Sequence, residues 1–380
     1  MRLGEALMEF KERPPRGADY SVLTLTEKNG FVFQSDRFKK RLALEDTSGY
    51  KIVRRDDIAF NPYLLWAGAV AQNTICEIGV ISPLYPTFRP RPGFDASYMA
   101  RLLLSPQMVS TYDRIAFGSV PRRRRSSTAD FLNLEIDPPP ALADQQRIAA
   151  ILDRADALRA KRKQVLVHLD SLAPRVFDHV FAGRSEPRVP MGELIAGQQI
   201  GLDRRSSEQG GDRAHGYMKM DAITRDGRLD LTRITRVDAS AEEVRKYAVR
   251  DGDLLLNTRN SRELVGKSAV FYGSPHLYNN NVSRLRFCER VTPQYIHAFL
   301  WSRDGREQLE SRKSGTTNVY AMYSKDFSTI SVPVPPLDEQ KSFDGAVSYI
   351  AQQQDDVRRL LQFDDGLFAS LQHQAFVGKL

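Results

Sequence analysis

The chain has 380 residues, length for two or three domains, each with a core of its own. With 41% apolar residues, a mean hydropathy of −0.42, no uncharged apolar run of about 18 and no signal-peptide pattern at Met1–Tyr20, it reads as a cytoplasmic protein, neither membrane-embedded nor disordered. The distant pair Cys76 and Cys288 excludes a disulfide framework or a Cys-rich metal site, and a net charge of +8 permits a polyanionic partner without requiring one.

Read from the N-terminus, the chain repeats itself. Leu3-Gly4-Glu5-Ala6-Leu7 returns as Met191-Gly192-Glu193-Leu194-Ile195, and Arg55–Asn61 returns as Asp251–Asn257, 196 positions later. Tyr98–Leu103 answers to Tyr295–Leu300, Asp130-Phe131 to Asp326-Phe327, and Leu142, Asp144 and Gln145 to Leu337, Glu339 and Gln340. The order is kept while the offset drifts by a few residues, which reads as a tandem duplication with copies of about 190 residues. In each copy, 1–137 and 184–335, short strand-like runs such as Gly30–Phe33, Leu254–Leu256 and Ser268–Tyr272 lie between Gly, Asn and Pro. Helical stretches follow near Asp95–Leu104 and Pro293–Leu309, so each module reads as α+β.

Pro138-Pro139-Pro140 and Pro333–Pro336 end the modules, because proline fixes φ and cannot continue a ladder. Apolar residues then recur at three- and four-residue spacing through 138–183 (Ile148, Leu152, Leu158, Val165, Leu169, Leu172) and 336–380 (Phe343, Ile350, Val357, Leu360/Leu361, Leu367). Arg159, Arg162, Gln354 and Asp364 interrupt the stripe. This predicts two helices of about 38 residues, roughly 55 Å each, paired antiparallel as a coiled-coil spacer. The expected architecture is therefore two α+β globular modules joined by two long antiparallel helices, with a pseudo-two-fold axis from the duplication.

Basic residues outnumber acidic ones by twenty to sixteen in 1–137 and by twenty-four to nineteen in 184–335, so the positive charge sits in the modules. It clusters at Lys39-Lys40-Arg41, Arg122–Arg125, Arg204-Arg205, Arg259 to Lys267 and Arg312-Lys313. One such cluster alone is an ordinary solvated surface. Here the arginine run stands on a Gly118/Ser119 loop whose repeat partner is Ser314–Asn318, and such loops carry donors for phosphates and base edges. Two basic modules on a rigid spacer imply two short DNA half-sites separated by a fixed gap.

Catalytic patterns are missing. Phe60-Asn61-Pro62-Tyr63 resembles the Asn-Pro-Pro-Tyr loop of adenine methyltransferases but has one of its two prolines and no Gly-rich cofactor loop upstream, and its repeat partner is Asn257. A strand-end structural asparagine is the better reading. No GxxxxGK[ST], HExxH, CxxC or GxSxG occurs, and Asp251 and Asp253 read as turn residues before a buried strand.

The helix openings Pro138–Asp153 and Val334-Pro335-Pro336-Leu337-Asp338-Glu339-Gln340 resemble the Pro-Leu-x-Glu-Gln openings of type I restriction-modification specificity subunits. Arg262–Lys267 and Gly315–Asn318 are similar to motifs of their second domain. The resemblance runs over essentially the whole chain. The first module departs most, with an arginine run in place of a Ser/Gly-rich loop and Asp144-Gln145 in place of Glu-Gln.

That resemblance implies a non-catalytic subunit binding double-stranded DNA. Target-recognition domain 1 (1–137) and domain 2 (184–335) would each read half of a split target, and the central helices (138–183 and 336–380) would set the gap. The helices would dock two modification (methyltransferase) subunits that methylate adenine N6, through outward charges such as Arg154, Arg159, Lys161, Lys163, Asp355 and Asp356. Restriction (translocase-nuclease) subunits would add cleavage. No cofactor is expected in this chain; S-adenosylmethionine, ATP and Mg²⁺ belong to the partners. The expected DNA contacts are Lys39, Lys40, Arg122, Arg123, Arg124 and Arg125 in the first module. In the second they are Arg259, Asn260, Ser261, Arg262, Lys313, Thr316, Thr317 and Asn318. The alternative is a bipartite DNA-binding scaffold or repressor without methyltransferase partners.

Overall fold

The computed structural model describes residues 1–27, 29–37, 47–118, 124–315, 319–378 and 380. The chain divides into two compact units, Met1–Lys161 with Leu361–Leu380, and Arg162–Leu360.

In the first unit a short helix, Leu3–Ala6, runs directly into the strand Leu7–Phe10. That strand opens a four-stranded antiparallel sheet whose order continues with Thr87–Pro90, Ile58–Phe60 and Val70–Gln72. Every residue of Ile58-Ala59-Phe60 is buried, as a continuous apolar run demands of a strand covered on both faces. Asp56, at φ 71, and Asp57 form the turn before it. The Asp57 carboxylate accepts the Arg54 N–H at 2.8 Å and holds the Arg89 guanidinium at 2.8 Å.

Helices Ala96–Leu103 and Pro106–Tyr112 follow, each opened by a side chain that satisfies an otherwise unpaired N–H: Asp95 for Tyr98 (2.8 Å) and Ser105 for Met108 (3.3 Å). Phe60, Phe88, Tyr112 and Phe131 meet between sheet and helices, with ring centroids 4.7–6.1 Å apart.

The second unit uses the same order: the short helix Met191–Leu194, then Ile195–Ile200, Val282–Phe287, Leu254–Asn257 and Ser268–Val270, all antiparallel. Gly252, at φ 81, stands where Asp56 stood. Asp253 repeats the role of Asp57, accepting the Arg250 N–H at 2.8 Å and pairing with Arg286 at 2.6 Å. These aspartates are turn residues, and no group of His, Cys, Asp and Glu among the described residues has metal-binding geometry. An additional three-stranded sheet, His215–Met218, Thr235–Val237 and Leu277–Tyr278, enlarges this unit.

The expected helix Pro293–Leu309 is two helices, Pro293–Trp301 and Arg303–Ser311, divided at Ser302. The Ser302 hydroxyl accepts the Gly305 N–H at 3.2 Å and starts the second one. The first long helix is also divided, into Leu142–Asp170 and Leu172–Phe181. Pro174 causes the break: it has no N–H for the Asp170 carbonyl and its ring crowds that oxygen. The second, Leu337–Phe376, is continuous over 40 residues.

Within each unit the two helices run antiparallel. Arg159 bonds Asp365 at 2.8 Å in the first unit; in the second Asp170 accepts from Gln354 (3.1 Å) and Arg358 (3.0 Å). The buried stripe is narrower than the apolar spacing predicts. Leu158, Val165, Leu172, Leu360 and Leu367 are exposed, whereas Gln354 and Asp364 are buried beside Ile350 and Leu361. Arg159 is no outward charge: it lies over the Phe368 ring at 4.5 Å between Asp156 and Asp365. Arg154, Lys161 and Lys163 do face solvent. Among the described residues, no helix is long and apolar enough to cross a membrane.

Candidate nucleic-acid interface

In the second unit the strand Leu254–Asn257 leads into Arg259-Asn260, which pair with Tyr320-Ala321, and these in turn with Ser314-Gly315. This small antiparallel sheet brings the Arg259 and Ser314 segments together across 55 residues of sequence. Arg259 is exposed, and no ion pair or hydrogen bond engages its guanidinium among the described residues. With Gln198, Asn280, Tyr323 and Ser324 it lines a shallow cleft. A guanidinium, which reads guanine, and amides, which read adenine, stand there together, and the Gln198 Oε1 already accepts the Ser324 hydroxyl at 2.6 Å.

The other predicted residues are more occupied. Asn260 accepts the Ser261 N–H at 2.8 Å and donates to the Met220 Sδ at 3.3 Å, and the Ser261 carbonyl accepts from Leu264 and Val265 in the following turn. Arg262 is exposed but paired with Glu310 at 2.6 Å, its guanidinium 5.8 Å from the Tyr320 ring centroid. Lys313 is nearly buried; its ammonium bonds the Arg262 carbonyl at 2.7 Å and Glu310 at 2.8 Å. These two cations, Lys313 first, hold the Glu310 carboxyl below the usual carboxylate range. Lys267, at the end of the basic run, is buried with its ammonium on the Ile223 and Met220 carbonyls, and burial lowers its pKa. It holds the 220–223 turn and is closed to DNA. Thr316, Thr317 and Asn318 lie outside the described residues.

In the first unit Arg125-Ser126 pair with Ala116-Phe117. Arg125 is exposed and stands over the Tyr63 ring, 5.8 Å from its centroid, while Phe117 is 65% exposed on the paired strand. Arg124 points inward: its guanidinium bonds the Asp113 carboxylate (2.5 Å) and the Asp113 and Ala116 carbonyls. It closes the hairpin and leaves little for a ligand. Lys39, Lys40, Arg122 and Arg123 lie outside the described residues. Asn61 is a strand-end residue, accepting the Tyr63 N–H at 3.0 Å and donating to the Tyr85 hydroxyl at 3.3 Å; Asn257 donates to the Leu264 carbonyl at 3.1 Å.

Sequence reasoning passed over Tyr63, Phe117, Gln198, Tyr323 and Ser324. The repeat carried a signal for the first: Tyr63 precedes Arg259 by 196 positions, the offset that relates Asn61 to Asn257.

No family model matches the chain. It is 23% identical over 317 residues to the type I restriction enzyme EcoKI specificity subunit of Escherichia coli K12, covering 77% of this chain and 67% of that one. It is 28% identical over 120 residues to the putative type I restriction enzyme MjaX specificity subunit of Methanocaldococcus jannaschii, covering 30% of this chain and 28% of that one. Its fold is that of the type I restriction-modification S subunit from M. genitalium (14% identity, TM-score 0.59, 99% of this chain and 95% of that one). It is also that of a chain solved for the complex assembly and conformational transition of the type I restriction-modification system (17% identity, TM-score 0.60, 100% and 97%). The resemblance read from the helix openings therefore holds: the chain is homologous to type I restriction-enzyme specificity subunits.

Proposed function

We propose that this chain recognises DNA sequence for a type I restriction-modification complex, each module reading one half of a bipartite target. The observation that carries the reading is an outward arginine on the small sheet of each unit: Arg125, paired with the Ala116-Phe117 strand and lying over Tyr63, and Arg259, which stands at the repeat position of Tyr63 and pairs with Ala321. The duplication is supported by the shared sheet order and by the matching Asp57–Arg89 and Asp253–Arg286 pairs.

The antiparallel helices would serve as the spacer and offer their outer faces to two modification subunits. Those partners would bring S-adenosylmethionine and methylate one adenine on each strand after flipping it from the stack. Restriction subunits would bring ATP- and Mg²⁺-dependent cleavage. This chain would supply recognition and no catalysis.

A genome-wide map of N6-methyladenine, made with and without the gene, tests the reading. The expected result is a gene-dependent motif of two short half-sites around a fixed unspecific gap. Loss of no motif on deletion, with the partner genes expressed, would favour the bipartite scaffold or repressor instead.

A further inference from the structure

Gln145 and Gln340, each at the start of a long helix, are almost completely buried and make the same three hydrogen bonds. The Gln145 Oε1 accepts the Asp95 N–H at 2.9 Å, and its Nε2 donates to the Gly93 carbonyl (3.1 Å) and the Pro140 carbonyl (2.8 Å). The Gln340 Oε1 accepts the Thr292 N–H at 3.0 Å, and its Nε2 donates to the Arg290 carbonyl (3.0 Å) and the Pro335 carbonyl (2.9 Å).

Only a primary amide of this length meets the demand, one acceptor and two donors in a plane; a carboxylate would face two carbonyls with no proton to give. Asp95 and Thr292 cap the module helices Ala96–Leu103 and Pro293–Trp301. Each glutamine thus ties the first turn of a long helix to the cap of a module helix. From there the chain runs through one more helix to the small sheet that carries Arg125 or contacts Arg259.

The remaining joints differ between the units. In the first, Arg101 forks onto Asp153 and Asp156 of the long helix at 2.8–3.0 Å. In the second, Arg358 holds Asp170 at 3.0 Å with Asp226 3.9 Å away. Among the described residues, the amide clamp recurs with the same three bonds in both units.

We infer that Gln145 and Gln340 are positioning residues that fix the gap between the two half-sites, an inference that rests on the bipartite reading above. One added base pair moves the far half-site by about 3.4 Å and turns it by about 35°. A module clamped at the root of its helix cannot follow that movement. A module released there pivots about its proline linker, and both half-sites can be engaged across a neighbouring gap.

The test is the N6-methyladenine map of the intact system, comparing wild type with Gln145→Met and Gln340→Met, which keep the volume and lose the three bonds. Both half-site sequences are expected to persist, while discrimination against gaps one base pair longer or shorter falls about tenfold. A uniform drop in methylation at the original gap, or an unchanged gap preference, would overturn the inference, since a structural role alone lowers occupancy without altering spacing. Gln145→Glu and Gln340→Glu provide second variants. If none of the four accumulates as folded protein, the amides serve the fold alone and the inference is lost. A wild-type map with no split motif overturns the bipartite reading and the clamp together; a split wild-type motif with unaltered variants overturns the clamp only.

Discussion

His297 shows how tightly a single residue in the second unit is constrained. It is half-buried beside Trp301, with ring centroids 6.1 Å apart, and its Nδ1 meets the Ser268 hydroxyl at 3.1 Å. Burial lowers its pKa to about 4. The unfolded chain binds this proton below about pH 6.5 and the folded protein does not until about pH 4, so the unfolded state binds more protons across that interval. Stability is then complete above pH 6.5 and falls with pH towards 4, by as much as about 3 kcal/mol from this group. Urea midpoints followed through Trp301 fluorescence should decline more shallowly with acid in His297→Asn than in wild type; parallel curves would show that other groups govern the decline. Such detail was outside the reach of the sequence, where the histidine had no motif around it. Lys267 was obscured for the opposite reason. It ends a visibly basic run, and only the carbonyls of Ile223 and Met220 reveal that its charge is turned inward.

At the scale of elements, most of the pattern could be read in advance, and the exceptions have local causes. The short strands, the turn aspartates and the starts of the long helices follow from alternation, glycine placement and proline stops. The split of the first long helix was equally available, since Pro174 is in plain sight three residues beyond the break. The apolar stripe conceals it because its spacing continues across the interruption. The segment past the break, Leu172–Phe181, is held by aromatic packing: Phe177 lies 5.0–6.0 Å, centroid to centroid, from Phe181, Tyr295, Phe299 and Phe343. Phe177→Ala should therefore destabilise the second unit by about 3–5 kcal/mol, read as a fall in its denaturant midpoint. A loss under 1 kcal/mol would mean that the cluster collapses around the missing ring. The coiled-coil expectation overstated the seam. Three- and four-residue spacing identifies the face of a helix that can be buried, but two helices cover only a narrow part of it, and Leu360 and Leu367 stay in solvent.

For the molecule as a whole, the sheet order shared by the two units agrees with the repeat read from the motifs, whereas the candidate site was legible only as a neighbourhood. Charge clusters mark where cations are dense and not which of them are engaged. Arg124 and Lys313 bond the protein itself, while Arg125 and Arg259 face outward. This division can be tested at one position. Arg259→Ala should leave stability within about 0.5 kcal/mol of wild type, because the fold makes no use of the side chain, yet relax one base position of the target at about 1–3 kcal/mol. A destabilised variant, or an unchanged target, would return Arg259 to the inert surface. The separation has an evolutionary meaning. Substitutions at the outward Arg125 and Arg259 are close to neutral for folding, so selection can explore them freely. The turn aspartates, the buried amides and the inward-facing basic residues are held fixed by the fold. If the outward arginines read DNA as proposed, a lineage carrying this scaffold acquires a new target sequence in few steps without passing through an unstable intermediate.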